Sequence, residues 1–540
     1  MKRIIIIGEG YHVGKAFKMA REIETQADVV WISDYEERKY PLSMLRLLLR
    51  SGVSPEKWPK IRARIKVDFD RYQQSHNLAP QKVGKIRIDS QGSEVSFLSG
   101  RGYISYSFDK VLIFPEATVG NADNLKDLSY LWPGDACVRY LVENWNEIKN
   151  PVVVGSDLSL VQAMVCGGKR FTWIRSGSVF SEQTQFFLDE WLMRRGVNIV
   201  TAASEEQKQE ILKREAGTDL NGRPVFYGGH CSADYARLKQ YGLEDRDIQS
   251  DFSQDSAQRN IVVSGSSVHK APGFSNADPE SKPADCRRMI RAVLDGDKSS
   301  PPPPRNTEIW NMGDLSVVRT GLDFLQARDA GHVCEFALVH GTHGIMDDKP
   351  YVLKLIMDKT ARNIIGMEAA GEKAHEWANL AACLIRDKTP LEDISDLDIV
   401  WTDPVINPFT RCVRMLENKA RPGILGITPE ELKQSADNGA EFFLLDVRKK
   451  QEFARGRLPG AYNIPLDQLK KRIMEIPRFT PIVLYSECSG RAYEGACLLK
   501  TMGAKQLYVL DGGYGLYTLD KDLNPLSPES PGFVRGCTGC

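Results

Sequence analysis

The sequence predicts an α/β chain of several domains, with parallel sheets in its first half and again at its C-terminal end. Three observations lead there. An apolar run, a glycine-containing turn and a helix-like stretch follow one another at residues 4–24, and the same order returns from residue 151. The segment from Glu308 to Ile356 alternates apolar and polar residues. A further unit with strand and helix character begins near Ile427. Strands separated by helices belong to parallel sheets, whereas apolar–polar alternation along neighbouring strands belongs to antiparallel ones.

Taken in order, Ile4–Ile7 is a buried first strand, because Gly8 and Glu9 end its apolar run too early for a leader peptide. Gly8-Glu9-Gly10-Tyr11-His12-Val13-Gly14 is the turn, Lys15–Glu24 has helical composition, and Val29–Ile32 is the second strand. This is the opening of a dinucleotide-binding βαβ unit. Val111–Ile113 is a later strand of that block. Pro151–Gly155 opens the second unit, with strands at 170–174 and 197–200. Pro301–Pro304 reads as a stiff extended linker. Lys373–Arg386 is helical, and Thr428 caps a helix whose first position is Pro429. The residues from Val534 onward read as a tail.

The bulk numbers narrow the function. A chain of 540 residues is too long for one core, so roughly three or four domains are expected. Lys and Arg number 71, as do Asp and Glu, so the formal net charge is zero, which argues against a nucleic-acid binder. No apolar run approaches the roughly 20 residues of a bilayer span. Eleven cysteines without the spacing of a disulfide framework point to a reducing cytoplasm.

The most specific motif is C-terminal. Phe443-Leu444-Leu445-Asp446-Val447-Arg448, Glu452-Phe453, Gly456–Pro465 and Asp511-Gly512-Gly513-Tyr514 together resemble a single rhodanese domain over residues 427–525. The resemblance implies a six-residue loop that begins at a cysteine nucleophile, ends in arginine, and holds a persulfide among its backbone N–H groups. Here the nucleophile position falls on Ser486 and the loop arginine on Arg491, with Cys488 two residues late. Two readings stay open: Cys488 has taken over the sulfur, or serine has ended sulfur transfer and Cys488 is an incidental thiol. Cys497 reads as a core residue.

Residues 1–420 resemble the flavoprotein pyridine nucleotide-disulfide oxidoreductase family, and most closely its coenzyme A-disulfide and polysulfide reductase branch, which carries C-terminal rhodanese domains. The matching stretches are Asp314–Leu322, Tyr351–Ile356, Ile364-Ile365-Gly366 and Asp393–Asp398. The resemblance implies two Rossmann-like domains of FAD and NAD(P) type, an α+β interface domain for dimerisation, and the α/β rhodanese domain. The expected bounds are 1–115 with 250–300, 116–249, 306–421 and 427–525, followed by a 526–540 tail. His340-Gly341-Thr342-His343-Gly344 stands where this branch has a histidine–glycine stretch, and it reads as inherited surface geometry rather than a metal site.

Compared position by position, much of the family's chemistry is replaced. The FAD turn keeps Gly8 and Gly10, but its third glycine is displaced to Gly14 behind Val13. The ribose-binding acid falls on Ser33, with Asp34 adjacent. The flavin-contacting segment reads Phe114-Pro115-Glu116, and the later Gly-Asp motif reads Gly265-Ser266. FAD therefore stays an open expectation. The second turn keeps only Gly155, places Asp157 where a pyrophosphate would approach, and has Arg175 where NAD-specific members carry an acid. NAD(P) is expected not to bind. Ser43 occupies the redox cysteine position, and the partner-facing tyrosine segment is changed to Trp401–Val405. A hydroxyl cannot exchange with a disulfide.

The terminal Cys537-Thr538-Gly539-Cys540 is either an ordinary tail or a dithiol, a sulfur acceptor or half of a metal site whose other ligands a partner chain supplies. The sequence thus predicts a divergent oxidoreductase-like protein of sulfur or thiol redox metabolism, without the standard disulfide reductase and sulfurtransferase activities. Its alternatives are a working oxidoreductase that uses Cys488 or the terminal pair, a scaffold subunit of a larger redox complex, and a binding module for a nucleotide or CoA thioester. A homodimer through the interface domain, or membership of a redox or sulfur complex, is the expected assembly.

Overall fold

The computed structural model describes most of the chain; residues 1, 9–10, 34–59, 61–80, 84, 90–92, 100–101, 115–116, 120–128, 133–134, 217–223, 229–230, 234–238, 244–259, 264–306, 343–348, 400–406, 421–422, 518–527, 531–532 and 535–540 lie outside the description. The polypeptide divides into two compact units. One comprises Met1–Gly177 with Leu192–Pro303, and the other Ser178–Trp191 with Pro304–Cys540.

The first unit contains two five-stranded parallel sheets. In one, Arg3–Gly8 lies between Asp28–Ser33 and Lys110–Phe114, and Ile261–Val263 returns beside the latter. Ile4, Ile5, Ile6 and Ile7 are all buried. A strand covered on both faces needs apolar residues at every position, which is why a continuous isoleucine run forms the central strand. In the other sheet, Val152–Val154 lies between Phe171–Arg175 and Val225–Gly228. Both parallel sheets match the expected α/β class. A three-stranded antiparallel sheet of Ile86–Asp89, Glu94–Ser99 and Gly102–Ser107 had no sequence signal strong enough to place it.

The second unit opens with a five-stranded antiparallel sheet in the order Glu308–Asn311, Ser316–Gly321, Asn363–Gly371, Pro350–Asp358, Cys334–Thr342. The Ala374–Asp387 helix falls where the sequence places it. The Pro408–Ala420 helix buries Phe409, Cys412, Val413 and Leu416 along one stripe, a spacing of three and four residues. That stripe faces two ways. Its residues share one continuous apolar core with Val339, Leu353 and Met367 of the antiparallel sheet and with Leu484, Ala496 and Val509 of the segment beyond. The segments expected as separate interface and rhodanese domains are thus packed around a common core.

Beyond residue 424 the strands Ile424–Ile427, Leu507–Leu510, Ile482–Tyr485 and Phe442–Asp446 form a parallel sheet. Thr428 accepts a hydrogen bond from Glu431 N–H at 3.1 Å while the Glu431 carboxylate accepts from Thr428 N–H at 2.9 Å, closing a capping box with Pro429 at the first turn. One expectation is corrected here. The segment read as a 526–540 tail contains strands at Pro528–Ser530 and Phe533–Val534, and the second pairs antiparallel with Phe442–Asp446. The open backbone edge of Phe442–Asp446 supplies the hydrogen-bond partners, a long-range demand that local composition does not show.

Candidate functional site

Three strand–turn–helix junctions are candidates for chemistry, and the physics is the same in each. A helix N-terminus presents unpaired N–H groups that favour an anion.

At the first junction, Gly8 has φ +146°, and a Cβ there would lie 2.7 Å from Phe114 O, so glycine is required by the neighbouring strand. Val13 is fully buried against the sheet, and Gly14 faces the ring of Trp31. The Trp31 indole N–H donates to Gly8 O at 2.8 Å. This turn is compatible with a flavin nucleotide as far as it is described. Gly10, Asp34, Ser43, Gly265 and Ser266 lie outside the described residues.

At the second junction the same device recurs, with Trp173 N–H donating to Gly155 O at 2.8 Å. The helix N-terminus that follows is already occupied. Asp157, nearly buried, caps the Leu158–Cys166 helix, and its carboxylate accepts from Ser159 N–H at 2.7 Å. Arg175 is also buried, stacked 5.0 Å from the Trp173 ring. A pyrophosphate would have to displace an internal carboxylate, and Arg175 is packed on an indole rather than extended towards a nucleotide. The residues present do not fit NAD(P).

The third junction follows Ile482–Tyr485. Ser486 is fully buried; its hydroxyl donates to Cys488 O and accepts from Ala492 N–H at 3.2 Å. Ser486 is therefore an internal brace of the loop. Cys488 is the N-cap of the Ser489–Thr501 helix, forms no side-chain cap bond, and keeps part of its surface exposed. Arg411, from the Pro408–Ala420 helix, donates from Nη1 to Cys488 Sγ at 3.5 Å.

The loop is held from several sides. Gly513 has φ +66°, and a Cβ there would fall 2.4 Å from Ser486 O, so the Asp511-Gly512-Gly513 turn packs directly against the loop backbone. Tyr514 N–H donates to Ser486 O at 2.8 Å and Gly515 N–H to Glu487 O at 3.0 Å. His340 Nε2 lies 3.0 Å from the same Glu487 carbonyl. The residue keeps some surface, but its imidazole is enclosed, and burial holds its pKa below the ordinary value. The neutral ring then donates to the carbonyl. For His340 this corrects the expectation of surface geometry, while His343 and Gly344 lie outside the described residues.

Ion pairs complete the frame. Arg448, nearly inaccessible, contacts Asp446 at 2.9 Å and Glu487 at 2.8 Å and stacks 4.0 Å from the Tyr514 ring. Arg491 sits in the first turn of the helix rather than in the loop, and donates to both oxygens of Glu452 at 2.8 and 2.6 Å. That bidentate pair holds the Glu452 carboxyl at about 2. Below the loop, Lys419 donates to Asp511 at 2.7 Å and to Phe336 O at 2.5 Å. Burial opposes the Lys419 charge, but Asp511, Tyr493 and Glu335 outweigh it and raise its pKa.

The other described cysteines lie in varied surroundings. Burial pushes the Cys166 thiol up to about 11 and also raises Cys412, which is fully enclosed. Cys497 packs against the apolar core, as its helical position suggests. Cys537 and Cys540 lie outside the described residues. Among the described residues no group of three or more His, Cys, Asp or Glu is placed to hold a metal, and no helix is long and apolar enough to cross a membrane.

Sequence reasoning named Cys488, Ser486 and Arg491 but missed Arg411, His340 as a loop contact, and Lys419. Lys419 carried a signal: a charged residue three positions beyond Leu416 continues an apolar stripe. Arg411 carried none, since it stands at the polar edge of that stripe.

A parallel sheet with a strand–loop–helix site of this form is a rhodanese-like domain, and the family model of that description matches residues 428–519. The chain belongs to this family: a sulfurtransferase of Allochromatium vinosum is 30% identical over 87 residues, covering 16% of this chain and 81% of that protein. The uncharacterized protein YqhL of Bacillus subtilis is 44% identical over 71 residues, covering 13% of this chain and 56% of its own length, so the chain spans little more than half of that relative. Over nearly the whole chain the fold is that of a pyridine nucleotide-disulfide oxidoreductase joined to a C-terminal rhodanese domain. The reduced CoADR-RHD of Bacillus anthracis superposes with a TM-score of 0.77 at 17% identity, covering 96% of this chain and 98% of the other. An NAD-dependent persulfide reductase from A. fulgidus gives 0.71 at 17% identity, covering 95% and 99%.

Proposed function

We propose that this chain is a sulfur-handling protein that takes up sulfane sulfur on Cys488, and that it lacks the standard disulfide reductase and rhodanese nucleophiles, whose positions hold Ser43 and Ser486. The observation that carries this reading is the contrast inside one loop. Ser486 is buried and hydrogen-bonded within the loop, while Cys488 is a partly exposed residue at a helix N-terminus with its sulfur beside a guanidinium.

The uptake step needs no external oxidant. The Cys488 thiolate attacks the terminal sulfur of a persulfide or polysulfide donor, the donor's S–S bond breaks, the donor leaves as a thiolate, and Cys488 keeps the sulfur as a persulfide. Cys537 and Cys540 are the proposed onward acceptors, and alkylating the pair is expected to trap sulfur on Cys488. A homodimer through the antiparallel sheet is the proposed assembly. FAD would be held at the Gly8–Gly14 turn with Gly10, Asp34, Gly265 and Ser266, and would supply electron transfer; the visible spectrum of the purified protein tests this directly.

The test of the central claim is mass spectrometry of the reduced protein after incubation with polysulfide. One added sulfur atom on the Cys488 peptide is the expected result. A Cys488 peptide that gains none, at donor concentrations that load an authentic rhodanese, overturns it. The scaffold reading would then stand, favoured by the Asp157 carboxylate in the second nucleotide turn and by the pairing of Arg491 with Glu452.

A further inference from the structure

A sulfur that carries negative charge needs a cation, and the loop's own arginine is committed elsewhere. Arg491 is bound through both of its terminal nitrogens to Glu452. Arg448 is buried on Asp446 and Glu487 and also donates to Gly456 O at 2.6 Å. Each of these guanidinium charges is matched by a carboxylate.

Arg411 differs. It lies 77 residues before Cys488 in sequence, on the helix that ends the preceding domain, and its Nη1 reaches the sulfur at 3.5 Å. Among the described residues no carboxylate forms an ion pair with it. Its chain runs past Gly490, where a Cβ would lie 3.6 Å from Arg411 Cδ and 3.9 Å from Nε, so the glycine leaves room for the approach. Of the other groups around the sulfur, Glu487 and Arg491 are charged but paired with Arg448 and Glu452, and two more are uncharged. Tyr351 is a phenol whose ionisation is opposed chiefly by burial, and the enclosed His340 imidazole is neutral.

We infer that Arg411 is the positioning residue that holds anionic sulfur on Cys488. The rhodanese site is then completed by the domain before it. The inference rests on the reading that Cys488 carries sulfur. It assigns the site a ligand class, a singly charged sulfane-sulfur anion small enough to lie between a helix N-terminus and one guanidinium.

The test uses the full-length protein with Arg411→Gln and Arg411→Lys. Cys488 is alkylated at one fixed pH by iodoacetate, an anion, and by iodoacetamide, which is neutral, and each rate is read from the Cys488 peptide. A guanidinium beside the sulfur attracts only the anion, so the ratio of the rates is expected to fall several-fold in R411Q, up to about tenfold, and to be largely kept in R411K. A structural role alone would change both rates together and leave the ratio unmoved. An R411Q ratio equal to the native one overturns the inference. Should R411Q not fold, the native protein still decides: the ratio is expected to fall as salt is raised, and a salt-independent ratio overturns the inference as well. The readout is separable from the functional reading. A native protein that takes up no sulfur but shows the ratio change refutes sulfur uptake and leaves the charge contact standing. A protein that loads sulfur equally well and holds it equally long in R411Q refutes the role of Arg411 alone.

Discussion

The junction at Gly155 and the junction at Ser486 have the same local plan: a buried parallel strand, a short turn and a helix. At the first, the chain supplies its own anion, the Asp157 carboxylate bonded to Ser159 N–H. At the second, the N-cap is Cys488, whose side chain makes no cap bond, and a guanidinium from another element faces its sulfur. The difference teaches that one helix end is capped by the chain's own carboxylate while the other sets a thiol beside a guanidinium. Inherited fold is shared by both, and function is decided by which atoms fill the helix end.

The largest effect expected to test this contrast is at Cys488 itself. Cys488→Ala is expected to abolish sulfur uptake, whereas alanine at the exposed Cys383 leaves it intact, both read as peptide-resolved sulfur addition. Uptake that survives in C488A would remove the distinction between the junctions. Next is the frame beneath the loop. Lys419→Ala leaves Asp511 buried without its partner and is expected to destabilise the second unit by about 3–5 kcal/mol, read from denaturant unfolding. A loss below about 1 kcal/mol would mean that the loop does not depend on this pair.

A smaller effect compares the helix ends directly. Asp157→Ala removes a cap bond and is expected to cost about 1 kcal/mol, while C488A costs the Ser489–Thr501 helix little because no cap bond exists there. Hydrogen exchange of the two first turns reads both. Equal protection losses would show that Cys488 caps its helix after all.

The smallest effect is in acid. Arg491 holds the Glu452 carboxyl at about 2, below its unfolded value of about 4.3. A depressed carboxyl contributes stability that is fully present above the unfolded value and is lost as pH falls through the folded one. Native protein and Glu452→Gln should therefore differ most above about pH 5, by about 0.5–1 kcal/mol for this partly exposed pair. The gap should close as pH falls towards about 2. A gap that widens in acid would show that Arg491 has another partner.

Much of this was legible in residues that lie close together in sequence. The isoleucine run at 4–7, the Thr428–Glu431 capping box and the Asp446-Val447-Arg448 motif each state their own local structure, because strand burial, helix capping and a two-residue side-chain reach are short-range matters. The sequence also carries the expectation, drawn from resemblance alone, that Ser43 and Ser486 stand at the two nucleophile positions. The antiparallel strands at 528–534 were not, because a strand that pairs with a distant edge can have the composition of a tail.

The sequence by itself determined the α/β class and the chemical identity of the thiols and hydroxyls at each expected site. Only the tertiary structure decided which of them meet. It set Arg411 against Cys488, His340 against a loop carbonyl 147 residues away, and Lys419 against Asp511. It also merged the segments before and after residue 424 around one apolar core. The physical reason is range. Propensity and periodicity act over a few residues, whereas ion pairs, enclosed imidazoles and shared cores join residues far apart in the chain, and they exist only after packing has brought them together.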